Sequence, residues 1–204
     1  MSYGVGVLAS GTGTNLQALL DTVHGRDGIE VVAVGANRPD VPALRRAHDA
    51  GVATEVFPEA DYGDDREARD RAMGVWLNER GVELVVLAGY MQLVSPRFLA
   101  RFPQRVINVH PALLPAFPGL GAIEQALAYG VSVFGVTVHF VDEGVDSGPV
   151  IFQRAIELPD PPDADAVRAA LQPIEHELLP QAVRAIAAGA VTFDPDNPRR
   201  VHIG

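Results

Sequence analysis

The chain has 204 residues, of which 48% are apolar, and its formal net charge is -10 at pH 7. The apolar content excludes a disordered chain, and the acidic surface disfavours a nucleic-acid partner, although it leaves room for a small anionic ligand. Disulfides, thiolate catalysis and cysteine zinc sites are excluded because there is no cysteine.

The N-terminus "MSYGVGVLASG" lacks a basic region, and its apolar run is too short for a signal peptide or a membrane span. We therefore expect a cytoplasmic protein without membrane association. The length is typical of one domain, so we predict a single domain over 1–204.

Short apolar runs predict strands at residues 4–9, 29–37, 82–89, 105–109 and 132–141. Continuous apolar strands are typical of burial on both faces, which favours parallel pairing. Helical patterns lie between and after them, at residues 14–24, 41–50, 64–80 and 164–188. This alternation predicts an α/β fold: a Rossmann-like open, mostly parallel twisted sheet with helices on both faces.

Two of the helical patterns carry further expectations. The pattern at 64–80 predicts one buried stripe, made of Ala68, Ala72, Val75 and Trp76. The pattern at 164–188 contains Pro173 and Pro180, so we expect an interruption and a restart with Pro173 in a first turn. The Pro/Asp loop at 158–165 places an aspartate at the start of this last helix.

A glycine-rich loop, "SGTGTN" at 10–15, follows the first strand and opens the first helix. Glycines allow a tight turn with exposed N–H groups, and the helix N-terminus adds positive potential, so the loop can hold a phosphate. It is neither a Walker loop nor the dinucleotide fingerprint, because the required lysine and third glycine are missing. A plain strand–helix turn with Thr14 or Asn15 as N-cap is the alternative.

The segment "NVHPALLPAFPG" at 108–119 ends the fourth predicted strand with an amide and an imidazole. Asn108 and His110 lie two residues apart, so they share one side of an extended strand, and Pro111 favours extended geometry at His110. Ligands of open α/β sheets bind beyond the carboxyl ends of the strands. The pair could supply two hydrogen-bond donors to an oxyanion in acyl transfer, or it could be an ordinary strand end.

An acidic turn lies within "VTVHFVDEGVDSGPVI" at 136–151, between two predicted strands. Asp146 stands where the chain turns sharply, and a carboxylate beside His110 would favour its imidazolium form or accept a proton through water. An ordinary Asp/Gly turn is the alternative. His139, within the strand, is expected to be structural or to support the site indirectly.

An ordered set of segments carries a resemblance that no single motif would. The set is "SGTGTNLQALL", "VVLAGYMQLVSPRF", "INVHPALLPAFPG", "GVTVHFVDEGVDSGPVI" and "IEHELLP". In this order and spacing the chain strongly resembles the phosphoribosylglycinamide formyltransferase family of folate-dependent formyltransferases, from about residue 4 to residue 190.

The resemblance implies direct transfer of a formyl group from 10-formyltetrahydrofolate to the amine of 5'-phosphoribosylglycinamide, in de novo purine biosynthesis. It implies two small-molecule substrates. The six histidines show no clustered ligand spacing, so we expect no metal site, and the sequence leaves monomer and homodimer open. Residues 1–100 would form the phosphate- and nucleotide-binding half, 101–190 the catalytic and folate-binding half, and 191–204 a C-terminal tail.

The resemblance also implies roles for particular residues. Asn108 would polarise the formyl oxygen, His110 would act as acid or oxyanion partner, and Asp146 would keep that histidine charged. The ribonucleotide would be bound by Gly13, Thr14, Asn15 and Glu175. The folate would be bound by Arg66, by Met91, Gln92, Leu93 and Val94, by Asn108, and by Asp142, Glu143, Gly144, Val145 and Asp146.

Alternatives stay open from the residues alone. Residues 91–94 read as core at a strand end, Arg66 as one charge on a solvated helix face, and Glu175 as an exposed helix acid. Among functions, formyltetrahydrofolate hydrolase is the nearest rival, although that family carries an extra N-terminal domain. Methionyl-tRNA formyltransferase would need a further domain and a basic surface, and a nucleotide-binding module would not need the catalytic trio.

Overall fold

The computed structural model describes residues 2–204. The chain forms two compact units, of which one ends at Asn108 and the other runs from Val109 to Gly204. None of the helices in residues 2–204 is both long and apolar enough to cross a membrane.

The first unit alternates strands and helices. Its elements are β1 (Tyr3–Ala9), α1 (Thr14–Thr22), β2 (Ile29–Ala36), α2 (Pro42–Asp49), β3 (Ala53–Val56), α3 (Glu59–Tyr62), α4 (Arg66–Glu79), β4 (Leu84–Leu87), α5 (Pro96–Arg101) and most of β5 (Val106–His110). The strands pair in parallel in the order β3-β2-β1-β4-β5. Val5, Val7 and Leu8 of β1 have no exposed surface, as expected for a strand buried on both faces.

The second unit is built on an antiparallel hairpin and one long helix. Its elements after β5 are α6 (Ala122–Tyr129), β6 (Val133–Phe140), β7 (Val150–Glu157), α7 (Ala164–Ala187), β8 (Val191–Phe193) and β9 (Val201–Ile203). Strands β6 and β7 pair antiparallel, and so do β8 and β9. The predicted α/β class is confirmed, with a mostly parallel, mixed sheet of the seven strands β1 to β7 in the described residues.

The predicted buried stripe of α4 is partly wrong. Val75 is 38% exposed, whereas Arg69 and Asp70 are almost completely buried beside the expected Trp76. Periodicity assigns charged residues to the solvent side, but these two form a salt bridge and so can be buried as a pair. The buried side of α4 therefore includes these two charged residues, which the apolar pattern assigns to the solvent side.

The expected interruption of the last helix is also wrong. Helix α7 runs without a break from Ala164 to Ala187 and contains both Pro173 and Pro180. Each proline removes one backbone hydrogen bond at a cost of about 3 kcal/mol, which packing on either side can offset. Buried Val167 and Leu171 precede the first proline, and buried Leu178 follows it, so the apolar stripe continues through that position.

We expect Asp163→Ala to lower the free energy of unfolding by about 1 kcal/mol, because the Asp163 carboxylate caps α7 by accepting from Ala166 N–H at 2.8 Å. Denaturant unfolding measures this. The matched control is Asp165→Ala, which removes an exposed carboxylate from the same turn and should cost about 0.5 kcal/mol or less. Equal losses in both variants would contradict the capping role.

Candidate active site

The second unit joins His110 and Asp146, as the sequence predicts. His110 ends β5 and is buried, and its Nδ1 lies 3.3 Å from Asp146 Oδ2. Its other nitrogen, Nε2, lies 2.8 Å from the carbonyl oxygen of Phe117. Both ring nitrogens thus face acceptors, and each must carry a proton to donate. The geometry therefore fits an imidazolium whose Nε2–H is held by the backbone.

The turn between β6 and β7 sets the direction of Asp146. Asp146 has a φ of 49°, in the left-handed region that few non-glycine residues adopt. Asp142 Oδ1 accepts from Gly144 N–H at 3.1 Å and from Ser147 Oγ at 2.6 Å, which fixes the turn from within. Gly148 leaves no room for a side chain, since a Cβ there would lie 1.8 Å from a β6 carbonyl. The backbone conformation of this turn therefore determines the direction of the Asp146 carboxylate.

The Asp146 carboxylate is shared by three donors. Its Oδ2 accepts from Gly119 N–H at 2.7 Å, and its Oδ1 lies 3.5 Å from His139 Nε2. Burial alone would raise the pKa of Asp146, but the bonds from His139 and Gly119 and the charge of His110 outweigh it and lower the pKa to about 2. At neutral pH the group is a fixed negative charge.

His139 contacts the Asp146 carboxylate, a contact that its position within a strand does not predict. It is almost completely buried, and its Nδ1 donates to the Phe140 carbonyl at 2.8 Å, which leaves Nε2 facing Asp146. The β6–β7 register shifts between Val138 and His139, an irregularity that re-aims the side chain. A strand histidine carries no sequence signal for this contact.

Phe117 and Gly119 act through backbone groups, so their side chains could not reveal them. Phe117 has a positive φ of 53°, and its ring packs edge-on against Tyr129 at 5.9 Å between centroids. This conformation turns the Phe117 carbonyl toward His110 and the Gly119 N–H toward Asp146. The proline-containing segment after β5 thus folds back onto both partners.

Asn108 precedes His110 by two residues in β5 and is opposite Leu87 of β4 in the parallel register. The alternation of side chains along a strand places Asn108 and His110 on the same side. Asn108 is half-exposed, so its amide remains within reach of a ligand.

The glycine-rich loop belongs to the first unit, and its cap differs from the expectation. Gly13, rather than Thr14 or Asn15, is the N-cap of α1, with a φ of 71°. A Cβ at Gly13 would lie 2.7 Å from the Ala43 Cα, so only glycine fits this position. Helix α1 accordingly begins at Thr14, two residues earlier than an Asn15 cap would allow.

Two arginines hold the same loop by its carbonyl groups. Arg38 donates to the Ser10 carbonyl at 2.6 Å, and Arg46 donates to the Thr12 carbonyl at 2.8 Å. The loop carbonyls are thereby bonded, and two positive charges lie beside the start of α1. Both features suit an anion at the first N–H groups of the helix.

The folate-binding residues expected in the first unit lie on two elements. Met91 and Leu93 follow β4 and are 60% and 56% exposed, so the alternative that they are core is wrong. Arg66 is the first residue of α4 and is exposed. It lines a cavity of about 510 Å³ with Glu59, Ala60, Tyr62, Gly63, Asp64 and Arg69, and Arg69 bonds Gln92.

In the second unit, Asp142 shapes the turn between β6 and β7, and Glu143, Gly144 and Val145 form its exposed tip. Glu175 lies in the middle of α7 and is half-exposed. Among residues 2–204, no group of three or more histidine and acidic side chains is arranged to hold a metal ion.

Comparison with known proteins gives a consistent result. The model of a family described as formyl transferase matches residues 4–183. Phosphoribosylglycinamide formyltransferase of Mycobacterium tuberculosis is 43% identical over 186 residues, which cover 91% of this chain and 86% of that protein. The trifunctional purine biosynthetic protein adenosine-3 of Drosophila melanogaster is 40% identical over 195 residues, 94% of this chain but 14% of the relative.

Comparison with solved structures gives the same result as comparison of the sequences. Glycinamide ribonucleotide transformylase 1 from Symbiobacterium toebii is 44% identical with a TM-score of 0.93, and the match covers 99% of this chain and 94% of that one. A formyltetrahydrofolate deformylase from Pseudomonas syringae has a TM-score of 0.87 at 24% identity, covering all of this chain and 66% of that one. The latter likeness extends to the fold alone.

We expect Asp146→Asn to lower the free energy of unfolding at pH 7 by about 2 kcal/mol, since the folded-state pKa of about 2 lies below the ordinary 3.8. A depressed pKa stabilises the protein above pH 3.8, and this contribution is lost as the pH falls toward about 2. Denaturant unfolding at several pH values measures the difference between the two proteins.

The matched control is Asp165→Asn, whose carboxylate is 93% exposed and should give no comparable pH dependence. A gap between Asp146→Asn and wild type that persists unchanged below the folded pKa would show that the lost charge is not its cause.

Proposed function

The chain belongs to the formyl transferase family, and we propose that Asn108, His110 and Asp146 carry out its chemistry. It is a phosphoribosylglycinamide formyltransferase of de novo purine biosynthesis, with a folate co-substrate. The observation that supports the catalytic assignment is the buried His110–Asp146 pair at the end of β5. A charged imidazole held at a strand end is suited to a developing oxyanion.

The proposed reaction begins with attack of the glycinamide amine on the formyl carbon of 10-formyltetrahydrofolate. A C–N bond forms, and the formyl oxygen gains negative charge in a tetrahedral intermediate. The Asn108 amide and the His110 imidazolium stabilise that charge. The bond from carbon to N10 of the folate then breaks. The amine loses one proton and N10 gains one, so no net proton is consumed.

The geometry distinguishes the two nitrogens of His110. Its Nε2–H is engaged by the Phe117 carbonyl, whereas its Nδ1–H faces Asp146. We propose that the Nδ1 edge of His110, which lies beside the Asp146 carboxylate, exchanges a proton during the reaction. Asp146 itself remains ionised during this exchange, since its pKa is about 2.

The substrate-binding assignments are part of the same proposal. Gly13, Thr14, Asn15 and Glu175 bind the ribonucleotide, supported by the arginine-held loop at the start of α1. Arg66, residues 91–94 and residues 142–146 bind the folate, supported by the exposed apolar side chains of Met91 and Leu93. The cytoplasmic location also belongs to the proposal.

The test is a spectrophotometric assay of folate release with and without glycinamide ribonucleotide. We expect release only with the nucleotide, and we expect His110→Ala to lower kcat about 10² to 10³-fold with little change in KM. The matched control is His48→Ala, an 86% exposed histidine whose loss should leave kcat unchanged. Release without the nucleotide would indicate a hydrolase, and a raised KM with normal kcat would make His110 a binding group only.

The phosphate loop has a test of its own. Gly13→Ala forces a side chain against Ala43 at a positive φ, so we expect a KM for the nucleotide raised roughly tenfold. Gly11→Ala is the matched control, because a Cβ at Gly11 meets nothing within 4 Å. Steady-state kinetics with each substrate varied in turn measures both. Equal behaviour of the two variants would remove the loop from the nucleotide site.

A further inference from the structure

A buried ion pair in the first unit takes no part in the proposed chemistry. Arg69 and Asp70 are neighbours in α4, with side chains 3% and 0% exposed. Asp70 Oδ1 accepts from Arg69 Nη2 at 2.7 Å and from Nε at 3.0 Å. By contrast, the pair formed by Glu67 of the same helix with Arg97 is 51% and 73% exposed. Burial of two charges is expensive and calls for a specific reason.

Apart from Glu59 Oε1, which lies 3.9 Å from Arg69 Nη1, the other side-chain partners of the pair belong to the chain that follows β4. Arg69 Nη1 donates to Gln92 Oε1 at 2.5 Å, and Arg69 Nη2 donates to the Leu93 carbonyl at 3.3 Å. Asp70 Oδ2 accepts from the Ser95 N–H at 2.5 Å. The two side chains therefore fix a side chain and two backbone groups within four consecutive residues.

A second contact strengthens the hold on Gln92. The Tyr90 hydroxyl donates to Gln92 Oε1 at 3.1 Å, and the Gln92 amide donates to Glu59. Burial raises the pKa of Tyr90 to about 12, so this hydroxyl keeps its proton at neutral pH. Gln92 is thereby turned toward α4.

The residues on either side of Gln92 point the other way. Met91 and Leu93 flank it and are 60% and 56% exposed. Gln92 lies at a bend in the chain, where its side chain is bonded toward α4 while its two neighbours stay exposed. Exposed side chains of this size next to a strand end form an apolar surface that suits a flat ring.

We propose that Arg69 and Asp70 are positioning residues, which hold residues 91–95 in the conformation that binds the folate co-substrate. The inference rests on the proposed folate role of residues 91–94. With side chains 3% and 0% exposed, the pair acts through the segment that it holds. Buried ionic groups add little net stability compared with apolar residues of similar size, and one reason to retain them is to specify a single conformation.

The experiment replaces both charges at once. The double variant Arg69→Met with Asp70→Leu keeps the volume and leaves no unpaired charge, so it should remain folded. We expect its KM for the folate to rise roughly tenfold, with the nucleotide KM and kcat within about twofold of wild type. Glu67→Gln, which removes the exposed pair of the same helix, is the matched control and should change neither KM.

If the double variant does not fold, Arg69→Lys provides the same test, since lysine keeps the charge but cannot make the forked bonds to Asp70, Gln92 and Leu93. An unchanged folate KM in the folded variant would overturn the proposal. So would an equal rise in both KM values, because that would mean general loosening of the first unit.

A second double variant separates this proposal from the one on which it rests. Met91→Ser with Leu93→Ser removes the apolar surface and leaves the ion pair in place. A raised folate KM here, together with an unchanged one in the Arg69/Asp70 variant, would overturn the positioning role and keep the folate assignment. An unchanged folate KM in both would overturn both. A rise in both supports the positioning role.

Discussion

The second unit depends on keeping one carboxylate ionised while it is largely removed from water. Asp146 loses hydration on burial, and that loss is offset by His110, by His139 and by the Gly119 N–H. These donors belong to three different segments, namely β5, β6 and the proline-containing loop. Holding the charge therefore fixes the segments around it, which gives the site a defined geometry before any substrate arrives.

Much of this arrangement can be predicted from the sequence because it is local. The period of two in β5 puts Asn108 and His110 on one side, and the glycines near Asp146 indicate a sharp turn. The partners of His110 and Asp146 within the loop could not be predicted, since a backbone carbonyl and a backbone N–H have no residue signature. They depend on how the loop returns, which is set by tertiary contacts such as that between Phe117 and Tyr129.

The errors of the sequence-based prediction have related causes. Hydrophobic periodicity assigns charged residues to the surface, so it could not predict that Arg69 and Asp70 lie on the buried side of α4. Propensity treats proline as a helix breaker, so it predicted an end at Pro173 where packing on both sides continues α7. In each case a tertiary interaction outweighed a local preference. The α/β class was predicted correctly, but the apolar pattern gave no strand at β3 (Ala53–Val56), whose residues are mostly exposed.

In each unit, a buried carboxylate restrains a neighbouring segment of the chain. Asp146 accepts from the Gly119 N–H and pairs with a buried histidine, and Asp70 accepts from the Ser95 N–H and pairs with a buried arginine. A carboxylate bonded to a backbone N–H restrains the chain itself, which an apolar contact does less specifically. Since one buried charge is tolerated only beside its partner, slippage of either segment would leave a charge unpaired. Breaking either pair costs free energy, and this cost keeps the bonded segment in one conformation.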